Sequence, residues 1–117
     1  MRAETLKGHL DGMLLAALEA GPRHGYAIME ALRAGSGGQF DLPTGTVYPA
    51  LHRLERAGLI QGTWAEAGGR WRRVYELTPA GRRMLDAERG TWRDFSVAVT
   101  ALLGPAPRPV TPSPAAR

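Results

Sequence analysis

The chain has 117 residues, 44% of them hydrophobic, and a formal charge of +4. That length is one domain by default, and no apolar run approaches the roughly 18 residues that cross a bilayer. Cysteine is absent, which excludes a disulfide frame, a thiolate nucleophile and a cysteine-bound metal.

The first residues, MRAETLKGHLDG, lack the apolar core of a signal peptide, so a cytoplasmic location is expected. Leu10, Met13, Leu14, Ala17 and Leu18 recur at helical spacing and predict an amphipathic helix, closed by Gly21 and Pro22. A second helix is predicted from about Gly25 to Ala34, with Ile28, Met29 and Leu32 inward. Gly35, Gly37 and Gly38 break it.

The third helix falls within Leu42–Leu59 and organises the rest. Val47, Ala50, Leu51 and Leu54 make one apolar stripe. The other side carries Thr46, Pro49, His52, Arg53 and Arg56, with Glu55 kept at the flank. Gly58 suits the left-handed position that ends a helix. The start stays open: Pro43 fits a first turn, Thr44 and Thr46 both fit a cap, and Pro49 argues for a late start. On any of these starts, Thr44, Gly45 and Thr46 lie at the N-terminal end, where free backbone N–H groups favour a phosphate. A short helix anchored on one side and basic on the other has the form of a major-groove reader. Three short helices in succession, the third one basic, are the order of a helix-turn-helix unit.

Leu59 to Leu77 reads as a hairpin: LIQGTWA and RWRRVYEL are β-prone, and EAGG joins them. Its second arm sets Arg70, Arg72 and Arg73 around Trp71. A hairpin directly after a helix-turn-helix makes a winged helix, whose wing arginines can meet phosphate or the minor groove. Trp64 and Trp71 are expected to pack across the hairpin. Between Pro43 and Arg83 there are seven arginines and three glutamates, a surplus equal to the whole formal charge of +4. Such a local basic field steers a polyanion, although a merely solvated basic surface has the same composition.

Thr78-Pro79 is a cap followed by a first-turn proline, and the helix it starts can run to about Leu103. Leu85, Trp92, Phe95, Val99 and Leu102 form an a/d seam, with Glu88 where a d residue is due. One small winged helix cannot bury so long a seam, so a homodimer is expected; the alternative is packing on the chain's own first helix. The last stretch, GPAPRPVTPSPAAR, is expected to be an extended or disordered tail. The fold class is therefore mainly α with a two-stranded β-wing. The domains expected are a winged helix-turn-helix over 5–78, a dimerisation helix over 79–103 and the tail over 104–117.

HGYAIMEAL, GTVYPALHRLERAGLI and GGRWRRVYELTPAGRRML together resemble the PadR family of bacterial transcriptional regulators, over roughly Leu10–Leu103. The joint occurrence of these pieces is specific, whereas each alone is weak. The resemblance implies a dimeric winged-helix repressor of the smaller subfamily, with one helix after the wing. It also implies that Tyr26 and Tyr48 lie near the DNA backbone. Some family members bind flat aromatic effectors between the C-terminal helices of the dimer, and Trp92 stands in the matching place with Phe95 as the nearest aromatic.

From these readings the DNA contacts expected are Tyr26, Thr44, Gly45, Thr46, Tyr48, Pro49, His52, Arg53, Arg70, Arg72 and Arg73. His52 and Arg53 are the choices for base edges. The partners expected are double-stranded DNA carrying an inverted repeat, a second copy of the chain, and a planar aromatic effector at Trp92 and Phe95. No membrane partner, metal, cofactor or enzymatic activity is expected. His9, His24 and His52 have no carboxylate at ligand spacing, Ser36, Ser96 and Ser113 lie in no nucleophile elbow, and GSGG at 35–38 lacks the GK[ST] of a phosphate loop. The competing reading is a winged-helix protein adaptor.

Overall fold

In the computed structural model, which describes residues 8–104, the elements are α1 (Leu10–Ala17), β1 (Arg23–His24), α2 (Gly25–Gly35), α3 (Thr44–Arg56), β2 (Ile60–Ala67), β3 (Arg70–Leu77) and α4 (Pro79–Leu103). The expected domain start at residue 5 and the proline-rich tail beyond Gly104 lie outside the described residues. The stripe of α3 is buried as its spacing predicts: Val47, Ala50, Leu51 and Leu54 all enter the core. They meet Leu14, Leu15 and Leu18 from α1 and its end, Ile28 and Leu32 from α2, and Ile60, Tyr75 and Leu77 from the hairpin. α1 differs from its predicted single stripe. Leu15, off that stripe, is fully buried, because α1 lies among α2, α3 and α4 and is covered on more than one side.

The helix boundaries follow local chemistry. α3 starts at Thr44 on the backbone of Pro43, with no side-chain cap, so Pro49 lies inside the helix. There it cannot donate to the Gly45 carbonyl. It sits on the exposed side, where water can donate to that carbonyl instead. Thr78 caps α4 by accepting from the Gly81 N–H (3.1 Å), and its hydroxyl donates to the Gly58 carbonyl (2.6 Å). One threonine thus ties the end of α3 to the start of α4.

The wing is the expected hairpin with a shorter loop than EAGG: Glu66 pairs with Trp71 and Ala67 with Arg70 inside the strands, while Ile60 pairs with Leu77. Its turn is Gly68-Gly69, both at positive φ (61° and 77°), as a two-residue hairpin loop demands. A third short strand, β1, joins the other edge of β3, pairing Arg23 with Tyr75 and His24 with Val74. Two residues carry no strand periodicity, which is why the sequence did not announce it.

Most of α4 stands clear of this core. Only Gly81 and Leu85 are buried, and Arg89 makes a bidentate pair with Glu19 (both contacts 2.6 Å). Leu85 corrects the proposed seam: it is 3% exposed and belongs to the chain's own core. The Glu88 anomaly has the same cause. Its stem lies alongside Gly12 of α1, so that position faces the chain itself. Trp92, Phe95 and Leu102 are exposed and Val99 is half-buried.

Candidate nucleic-acid interface

Burying one face of α3 fixes the other outward. Thr44, Gly45, Pro49, His52, Arg53 and Arg56 are exposed, and Thr46 is half-buried. At the N-terminal end Thr46 and Val47 both donate to the Pro43 carbonyl (3.0 and 3.1 Å). Thr44 and Gly45, which precede them, hold first-turn N–H groups of the kind that seat a phosphate.

Beside this helix runs a cleft of about 830 Å³ between the start of α2 and the wing, lined by His24, Gly25, Tyr26, Tyr48, Trp64, Arg70, Trp71, Arg72 and Arg73. It thereby gathers Tyr26, Tyr48 and the three wing arginines, which are far apart in sequence. Gly25 makes the cleft: a Cβ there would lie 2.6 Å from the Tyr48 hydroxyl oxygen and 2.7 Å from its ring. Only glycine lets that ring lie against the start of α2.

His24 caps α2, accepting the Ala27 N–H at Nδ1 (3.1 Å). That contact needs a neutral ring. Burial first, and the Arg72 charge second, push its pKa below the ordinary imidazole range. The unfolded chain therefore takes up this proton first on acidification. The stabilisation is complete above about pH 6.5 and is lost as pH falls through the folded value. Thermal melts at pH 7.5 and 5.5 should show a smaller acid loss in His24→Asn, which keeps a capping acceptor, than in the original protein.

The arginines are not equivalent. Arg73 is already engaged within the chain: its Nη2 donates to Glu55 Oε2 (2.5 Å) and its guanidinium lies 5.8 Å from the Trp64 ring centroid. Glu55 also accepts the Gly62 N–H (3.3 Å). Arg73 therefore ties the wing to α3, which makes Arg70 and Arg72 the stronger phosphate candidates of the three. Arg53 pairs with Asp11 of α1. Both side chains are about half exposed, and such pairs are worth only ~0–1 kcal/mol, so a base edge or phosphate can displace Asp11. Asp11 and Glu55 were missed because their partners lie 42 and 18 residues away.

The tryptophans are a second correction. Trp64 and Trp71 do not pack away across the hairpin; they are 65% and 72% exposed. On α4, Trp92 lies 5.7 Å from Phe95 between ring centroids, and His9 meets Trp92 edge-on at 5.3 Å. His9 is an aromatic neighbour that reading α4 alone could not find. Among the described residues, no group of His, Asp or Glu could hold a metal, and no helix is long and apolar enough to cross a membrane.

Against known proteins, residues 14–87 match the model of the transcriptional regulator PadR-like family. The chain belongs to this family. PadR-like proteins are transcriptional regulators and not enzymes. The chain is 42% identical over 67 residues to a transcriptional regulator of Mycobacterium tuberculosis, covering 57% of this chain and 50% of that protein. It thus spans about half the length of that relative. A PadR-like regulator of Bacillus cereus superposes with a TM-score of 0.77 at 28% identity, covering 88% of this chain and 99% of that one. A PadR regulator of Eggerthella lenta gives 0.73 at 31% identity, covering 86% and 87%. The winged-helix fold with a long final helix is common to them.

Proposed function

We propose that this PadR-like chain is a sequence-specific, homodimeric, cytoplasmic repressor of transcription. α3 enters the major groove, Arg70 and Arg72 hold the DNA backbone, and a small planar effector acting at Trp92 and Phe95 releases the complex. The carrying observation is the division of α3: four apolar residues buried, and an outward side of Thr44, Gly45, Pro49, His52, Arg53 and Arg56 without an acid. Tyr26, Thr46 and Tyr48 flank that side, where backbone contacts fix register without reading sequence. The same cleft in a protein-binding adaptor would need no such basic rim.

The test uses duplexes selected from random-sequence DNA by the protein itself. Arg53→Ala should cost about 1–3 kcal/mol on the selected site and relax one base position. Arg70→Ala and Arg72→Ala should weaken binding to all duplexes alike, each lowering the slope of log K against log salt by about 0.9. No selection, together with salt-independent or absent binding, would favour the adaptor.

A further inference from the structure

The wing carries an aromatic surface that the phosphate contacts do not use. Residues opposed in an antiparallel pair share a face, and the register sets Gly62 with Tyr75, Trp64 with Arg73 and Glu66 with Trp71 on one face. That face begins in the core at Tyr75 and continues outward past the edge of the domain. Trp64 and Trp71 are its exposed continuation, at 65% and 72%. Arg70 and Arg72 alternate onto the other face. β1 pairs β3 only at Val74 and Tyr75, so nothing in that sheet covers the edge of β3 from Arg70 to Arg73. The cleft opens along this edge. Basic side chains from one face of the hairpin and aromatic ones from the other therefore border it on either side of that edge.

The charges on the aromatic face decide what it can meet. Arg73 is its cation and is paired with Glu55, while Glu66 stands opposite Trp71. A phosphate is poorly served there; an uncharged, flat or apolar surface is well served. A nucleic-acid strand has such a pair of sides, phosphates on one and sugars with base edges on the other. We infer that Trp64 and Trp71 take the sugar and base-edge side of one DNA strand whose phosphates lie on Arg70 and Arg72. The inference rests on the DNA-binding reading and deepens it: the wing supplies a non-ionic contact beside its ionic one.

The two kinds of contact separate by salt. Neutralising a phosphate releases counterions, whereas packing an indole on sugar or base releases none. Trp64→Ala and Trp71→Ala should each lower affinity for the selected duplex about tenfold with the salt slope unchanged, and Trp71→Phe should recover most of the loss. Both tryptophans are exposed, and unchanged thermal melts would show that the variants fold. In a Trp92→Phe background, the emission of the two wing tryptophans should be quenched on saturation with the duplex. Undiminished affinity or unquenched emission, in a protein that does bind the duplex, overturns this inference alone. A reduced salt slope also overturns it, since Trp64 would then act only by holding Arg73. So does a concentration-dependent oligomer abolished by Trp71→Ala, because the aromatic face would then seat another copy. A protein that binds no duplex overturns this inference together with the DNA-binding reading.

Discussion

Gly81→Ala should strongly destabilise the fold, while Gly90→Ala, nine residues further along the same helix, should stabilise it. A Cβ at Gly81 would lie 1.9 Å from the Leu59 carbonyl oxygen and 3.2 Å from a Leu77 methyl carbon. The first obstacle is backbone and cannot rotate away. α4 would have to lift from the hairpin, straining the Thr78 N–H bond to that same carbonyl (3.2 Å) and the Thr78 cap. Overpacking costs about 1–3 kcal/mol when side chains yield, and more when backbone must move. We expect about 3–5 kcal/mol, a large part of the ~5–15 kcal/mol that holds a domain. At Gly90 a Cβ meets nothing within 4 Å, so alanine should add about 0.5–1 kcal/mol through backbone entropy alone. Urea melts of both variants check the pair. An equal midpoint in the two would mean that α4 does not cross the hairpin where the structure has it.

What the sequence shows of this protein is what is local. The stripe of α3, the Thr78-Pro79 start and the length of α4 are written in neighbouring residues, because caps and 3.6-residue periods act within one helix. The family resemblance located the tyrosines of the cleft. What stayed hidden depends on contacts across the chain. The two-residue strand β1 exists only because β3 offers it an edge. Leu15 is buried because α1 has more than one neighbour. Glu55 is an unremarkable flank residue until the wing folds back and brings Arg73 and the Gly62 N–H onto one carboxylate oxygen. The two wing tryptophans mislead in the opposite way. They are expected to pack across the hairpin, but the hairpin runs beyond the core that would cover them.

The seam of α4 gives the other large expected effect: Phe95→Glu with Val99→Glu should convert a dimer to a monomer without unfolding it. With Leu85 assigned to the chain's own core, the seam starts at Trp92 and runs through Phe95 and Val99 to Leu102. Trp92, Phe95 and Leu102 are 55%, 51% and 87% exposed in the single chain, and exposed apolar rows of this kind mark partner surfaces. A matching helix from a second copy is self-complementary to the row, which is what a two-fold interface requires. Two carboxylates at its centre would each face an apolar partner and their own symmetry mate. Because the core lies at the other end of α4, the melting of the monomer should stay close to that of an undimerised wild-type chain. Sedimentation at micromolar concentration checks the state, and dimers that survive both charges would exclude α4 as the interface. The consequence for DNA is larger than for stability. In the proposed dimer, two linked recognition helices would engage two half-sites about one helical turn apart, and linkage of this kind is worth about 10²–10⁴ in affinity over either half alone. The double variant should lose a factor in that range on an inverted repeat and almost nothing on a single half-site. The contrast between those two probes separates a dimer that organises the operator from a seam that merely stiffens the helix.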